Sequence, residues 1–292
     1  MRGTALLVCV LALGWAAPAR AAGPADVARG KYIFAATGGC GCHTEPGKGK
    51  PLNAGGRKFD GPFGIVYSSN ITQDRETGIG AWTDEQIKTA VRLGRRPNGE
   101  RILPVHPYTV FNGMAAEDLD ALVAYLRTLP PVSRPTPPKK IIVPLFESVF
   151  LPAWLAAFAP RETPPPTAPT TGLARGEYLV KAVGHCGECH TPRTLTMATD
   201  NTRFLGGNAH GPENSSIPNI TPDKATGLTW SEDEITEFLA TGNRPDGDVA
   251  GSLMGEMIEG STVGYKDMTR DDLRWIARYI RSVPPVSNKI SK

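Results

Sequence analysis

Hydrophobic positions along the chain fall into short helical runs, separated by long polar stretches rich in glycine and proline. Leu119, Leu122, Val123 and Leu126 recur at the spacing of one helix face, and Leu273, Ile276, Ala277 and Ile280 repeat that pattern near the other end. Each run stops at a proline pair, Pro130-Pro131 and Pro284-Pro285, which lacks the amide protons a helix needs. Ahead of each run, a capping box opens a shorter helix: Thr83 with Gln86, and Ser231 with Glu234. No strand periodicity stands out. The pattern predicts an all-α fold.

These correspondences belong to a repeat that runs through the chain. ARGKYIFAATGGCGCHT (Ala28 to Thr44) matches ARGEYLVKAVGHCGECHT (Ala174 to Thr191), and NITQDRETG (from Asn70) matches NITPDKATG (from Asn219). GRRPNG (Gly94 to Gly99) matches GNRPDG (Gly242 to Gly247), and the segments from Met114 and Met268 align through PPV. Order and spacing are kept, which predicts two tandem domains over 22–132 and 172–292. Residues 133–171 form a proline-rich linker. Its centre, Ile141 to Pro160, is strongly apolar apart from Glu147. Pro144, Pro152 and Glu147 argue against a membrane span there. The segment either packs along the domains or docks, through Ile141 to Phe158, on a partner or a membrane surface.

At 292 residues the chain is long enough for two such domains, each with its own core. Residues 1–21 read as a secretory signal, with Arg2, an apolar stretch from Ala5 to Ala17 and a small-x-small site at Ala19-Arg20-Ala21. The expected location is therefore the periplasm, with or without membrane association. The net charge of +3 falls to about +1 without Arg2 and Arg20, so nothing points to nucleic acid.

Cys9 would leave with the signal, which keeps Cys40, Cys42, Cys186 and Cys189. Four cysteines in an oxidising compartment are open to reading as two disulfides. Yet each close pair is followed at once by a histidine, His43 or His190, for which a disulfide gives no reason. Covalent haem does: the cysteines take the vinyl groups and the adjacent imidazole ligates iron. Cys186-Gly187-Glu188-Cys189-His190 has the regular C-x-x-C-H spacing. A zinc site would need two further ligands that no second cluster in this repeat offers. The first motif, Cys40-Gly41-Cys42-His43, is one residue short. Cys42 keeps the normal relation to His43, whereas Cys40 either attaches in strained geometry, stays a free thiol or oxidises with its neighbour. A degenerate first domain without haem is the other reading. Arg96 and Arg244 stand at matching positions and suit haem propionates or loop bridges. Trp82 and Trp230 read as core aromatics, and His185 and His210, which have no repeat partners, as surface histidines.

On the NITxDxxTG, W[ST]xxE, RPxG and LxxLPPV-type segments, the chain resembles the tandem dihaem c-type cytochromes that serve bacterial periplasmic dehydrogenases of alcohols, aldehydes or sugar acids. The resemblance covers Ala28 to Val286. It implies two haem c groups and single-electron relay, with a dehydrogenase as donor, a cytochrome or oxidase as acceptor, and the chemistry left to the partner enzyme. It also points to the sixth ligands. Met254 stands where the family carries its ligand methionine, with Met257 as the alternative and Met268 a core residue. His106 stands where the first domain often has methionine, with Met114 as the fallback. Methionine raises the potential relative to a second imidazole, so electrons would run from the first haem to the second. A dihaem peroxidase and a structural subunit of a cytochrome assembly are the competing classes.

Overall fold

A computed structural model describes residues 23–39, 41–159 and 163–290; the predicted signal and Cys40 lie outside them. Helix α1 (Pro24–Ala36) starts on a proline, and the Asp26 carboxylate accepts from the Gly23 amide at 2.8 Å. It ends in a run of buried residues, Ile33 to Ala36, just before the first cysteine motif. Helix α2 (Asp84–Leu93) opens at the reciprocal Thr83–Gln86 capping box and closes on left-handed Gly94. After the short α3 (Tyr108–Phe111), helix α4 (Ala116–Leu126) buries nearly its whole length.

The all-α expectation requires one correction. Strands β1 (Lys58–Gly61) and β2 (Gly64–Tyr67) pair as an antiparallel hairpin, and β3 (Lys140–Ile141) adds to β2 from the linker. Four residues are too few to display a period of two, which is why the hairpin leaves no readable alternation. The linker also carries a π-helical turn (Phe146–Phe150) that runs into α5 (Leu151–Phe158). Leu151 is buried there, and Trp154 Nε1 donates to the Thr196 carbonyl at 2.7 Å. Ile142, Leu145, Val149 and Phe150 are all more than half exposed. So the linker is tied down by β3, by the Phe63–Phe146 contact and by Leu151 and Trp154, while several of its apolar side chains stay open to solvent. Among the described residues, no helix is long and apolar enough to cross a membrane.

Beyond the linker come α6 (Gly172–Tyr178), which continues as a π-helical turn to Val183, and the short α7 (Cys186–His190). Helix α8 (Glu232–Thr241) starts at the Ser231–Glu234 capping box. Helices α9 (Ser252–Glu259) and α10 (Arg270–Ser282) complete the chain. Helix α1 packs on α4, and α10 packs on both α6 and α8. The two helix crossings are unusually close, and glycine permits them. A Cβ built on Gly30 would lie 1.8 Å from the Ala121 carbonyl, and one on Gly176 would lie 2.1 Å from that of Trp275.

The N-terminal and C-terminal parts share one hydrophobic cluster, which joins Phe34, Met114 and Leu119 to Leu179, Val183 and Leu273. A polar exchange reinforces it. Asp118 on α4 accepts Arg29 Nε at 2.7 Å and the Tyr178 hydroxyl from across the junction at 2.6 Å. The same arrangement recurs with the parts reversed: Asp272 on α10 accepts Arg175 Nε at 2.9 Å and the Tyr32 hydroxyl at 2.6 Å. The Ala115 amide donates to Tyr178 Oη at 3.1 Å, and the Thr269 amide to Tyr32 Oη at 3.3 Å. Residue i meets j while its counterpart meets i's counterpart, the geometry of an interface with twofold character. Elsewhere on the junction, Arg57, 3% exposed, holds both Glu213 and Glu256.

Because the α6–α10 crossing has no room for a side chain, Gly176→Ala is expected to destabilise the protein by about 1–3 kcal/mol. Gly251→Ala, whose Cβ would enter open space, is the matched control and should shift the urea midpoint less, by only the small cost of alanine at the N-cap of α9.

Candidate functional site

The site is built outward from two buried asparagines. Asn70, 1% exposed, donates through Nδ2 to the Val132 carbonyl at 2.7 Å. Its Oδ1 accepts from the Thr72 amide at 2.9 Å and the Thr72 hydroxyl at 2.7 Å. Asn219 does the same with the Val286 carbonyl at 2.7 Å and with Thr221 at 2.9 and 2.7 Å. Asp74 and Asp223 tighten the following turns by accepting from the amides of Thr77 and Thr226, at 2.7 and 2.8 Å. The NITxDxxTG segments are thus rigid loops pinned to the chain just past the terminal proline pairs.

What each loop holds is a carbonyl. The residue preceding each asparagine, Ser69 or Pro218, receives a histidine Nδ1: His43 at 2.7 Å and His190 at 2.9 Å. A carbonyl oxygen can only accept, so Nδ1 carries the proton in both rings and the Nε2 lone pair is directed away. Burial lowers the pKa of both imidazoles, which keeps them neutral and available as ligands. Sequence reasoning missed this support from Ser69, Asn70, Pro218 and Asn219. The repeated motif was visible, but not the neighbouring carbonyl that it positions.

His106 comes to face His43. Their ring centroids are 6.2 Å apart and their planes are inclined at 77°. That separation fits one iron between two Nε2 atoms, given metal–nitrogen bonds of roughly 2 Å on each side and ring radii of a little over 1 Å. A hydrogen bond to the Val91 backbone orients His106, and Tyr108 and Phe111 flank it with centroids at 6.4 and 5.7 Å. Its pKa is pushed down to about 3, first by burial and then by the neighbouring His43 and His185.

In the C-terminal part, α7 presents Cys186, Cys189 and His190 within one helical segment. Burial pushes the Cys186 and Cys189 thiols up to about 11 and about 12, so neither is a thiolate at neutral pH. Cys189 also senses Cys42, so the two attachment motifs are neighbours. Cys42 is exposed; Cys40 lies outside the described residues. Met254 and Met257 are half-buried on α9, and Met257 packs on the Gly38 backbone beside the first motif. Met114 and Met268 are buried in the core. No group of three or more His, Cys, Asp or Glu side chains that could hold a metal ion occurs among the described residues.

The matched arginines diverge. Arg96 donates to Ser69 Oγ at 2.5 Å, beside the carbonyl that holds His43. Arg244 pairs instead with Asp246 at 2.8 Å and Asp248 at 3.3 Å in its own loop. Trp82 and Trp230 pack against the core cluster. His210 is exposed as predicted, but His185 is not a surface residue. It is half-buried at the junction, edge-on to Phe111 with centroids 5.5 Å apart. Its contact residue is 74 positions earlier in the chain, so no local pattern reveals the pairing.

Paired Cys–His motifs, two neutral carbonyl-held imidazoles and a further imidazole facing the first are the groups that covalently attached haem would need. Comparison with known proteins agrees. The cytochrome c family model matches residues 27–130. A "Diheme cytochrome c-type" protein of Cereibacter sphaeroides is 35% identical over 275 residues, covering 89% of this chain and 87% of its own. The cytochrome c subunit of a quinone-type alcohol dehydrogenase from Gluconobacter oxydans is 38% identical, with 93% of this chain and 57% of its own covered. The gluconate 2-dehydrogenase cytochrome c subunit of Pantoea cypripedii is 36% identical, at 90% and 60%. The chain thus spans little more than half the length of these dehydrogenase subunits. The chain belongs to the cytochrome c family, carries two haem c groups and transfers electrons.

Asn219→Ala removes the side chain that holds the Thr221 amide and hydroxyl and the Val286 carbonyl. The expected loss is about 2–3 kcal/mol of stability in urea, because buried polar groups are left unpaired. A loss below about 0.5 kcal/mol would show that the loop is held by other means.

Proposed function

We propose that the protein is an exported, periplasmic dihaem cytochrome c that relays single electrons from a partner dehydrogenase toward the respiratory chain. In this reading, 22–132 and 172–292 are tandem cytochrome c units joined by the linker at 133–171. The observation that carries it is the facing pair His43 and His106, set 6.2 Å apart beside a cysteine motif. Such a pair closes both axial positions of an iron. A closed centre suits electron relay, and a peroxidatic centre needs an open position for its substrate.

Haem supplies a one-electron couple at each site; the residues set its value and hold it. His43 and His106 would hold the iron of the first, with Cys42 as thioether and Cys40 as the second attachment. Cys186 and Cys189 would attach the second, with His190 and Met254 holding its iron. The Ser69 and Pro218 carbonyls hold the proximal rings at fixed orientation and make the Nε2 atoms better donors. Arg96, which donates to Ser69 beside the carbonyl that holds His43, is the arginine that would meet a propionate; Arg244 pairs with Asp246 and Asp248 instead. A thioether ligand favours ferrous iron more than imidazole does, so electrons pass from the N-terminal to the C-terminal centre. The relatives named as dehydrogenase subunits support a dehydrogenase donor. The exposed apolar side chains between Ile142 and Phe158 offer a docking face for a partner or a membrane surface.

Mass analysis with pyridine haemochrome spectra should count two haems and show whether one or two thioethers join the first. In a spectroelectrochemical titration, the His/His centre is expected at the lower potential, and His106→Met should raise it. A His/His centre at the higher potential would remove the proposed direction.

A further inference from the structure

We infer that Phe111 and His185 form an aromatic bridge that couples the two haem sites. The inference rests on the assignment of His106 as an axial ligand. From His106 the next ring is Phe111, 5.7 Å away between centroids and tilted by 57°. From Phe111 the next is His185, at 5.5 Å and 74°. Centroid separations of this size are those of rings in edge contact, with no gap for water. His185 is covalently joined to Cys186, a thioether residue of the second site. The contacts thus run from a ligand of one iron to the attachment sulfur of the other through two ring contacts and one peptide link. Electronic coupling decays faster across space than through bonded or closely packed atoms, so an unbroken series of this kind supplies a coupling route between the sites.

The backbone gives a second, independent indication. His185 lies in the left-handed region, at φ 43° and ψ 34°, a conformation that few non-glycine residues adopt. The matching residue in the first motif is Gly39, also left-handed at φ 63°. Glycine would therefore serve this backbone without strain, yet a histidine occupies it. Histidine is one of the few side chains that this backbone region tolerates, so the ring can be held here where its counterpart has none. A hydrogen bond to the Thr37 backbone, at the end of α1, fixes the ring against the N-terminal part. Tyr265, at the position matching Phe111, bonds the Gly184 carbonyl at 3.2 Å and contacts Cys186, which closes the bridge on its other side.

The transfer moves one electron: the His43/His106 iron goes from ferrous to ferric and the His190 iron from ferric to ferrous. No bond forms or breaks, and no proton is required. Phe111 and His185 are positioning residues for this step.

The test uses the oxidised holoprotein with both haems. Single electrons are injected by pulse radiolysis, and equilibration between haems is followed by absorbance. Phe111→Leu keeps an apolar side chain without a ring, and His185→Asn keeps a residue that tolerates the left-handed backbone. Both should slow equilibration several-fold, with midpoint potentials and low-spin spectra as in the parent protein. Phe111→Tyr should restore the parental rate. Unchanged rates in both ring-deleting variants would overturn the bridge, and so would slowing accounted for by shifted potentials. His106→Ala reports separately on the ligand assignment: an unaltered first-haem spectrum would overturn that assignment and the bridge built on it.

Discussion

The structure depends on the reciprocal bonding of two aspartates, Asp118 and Asp272. Each is nearly buried, and each joins an arginine of its own part to a tyrosine of the other. A buried carboxylate is stable only with its lone pairs satisfied, and here that requires both parts in one relative placement. The shared hydrophobic cluster supplies most of the driving force, but it is not directional. The Arg–Asp–Tyr sets supply the direction. Once they fix the junction, Cys42 comes near Cys189 and Phe111 comes against His185.

Within that frame, each proximal histidine hangs from a backbone carbonyl on a loop that an asparagine pins from behind. Because the acceptor is main chain, each ring follows its loop, and the loop follows its asparagine side chain. The proposed sixth ligands have no such uniformity. His106 sits between prolines and bonds to the Val91 backbone, whereas Met254 rides on a helix, α9. On the proposed assignment, the two sites share a carbonyl-held histidine and differ in the second ligand.

Much of this was legible in the sequence. The capping boxes at Thr83 and Ser231, the helix ends at the proline pairs and the motif at Cys186–His190 follow from local rules, and local rules govern them in the structure. The β1–β2 hairpin escaped because its strands are too short to show a period. His185 escaped for another reason. Its environment comes from Phe111 and Thr37, and those contacts exist only after the junction forms. Arg96 and Arg244 look equivalent in the repeat, yet Asp246 and Asp248 draw Arg244 away, whereas the matching loop offers Arg96 only Glu100, at 3.7 Å.

The matched positions Gly39 and His185 differ in what they can hold. Both residues occupy the same left-handed backbone well, but a Cβ on Gly39 would lie 1.8 Å from the Val263 carbonyl. A side chain is thus sterically excluded at one position and accommodated at the other, so the two segments are not interchangeable: a histidine grafted onto the first would push against the Val263 backbone before it could reach any partner.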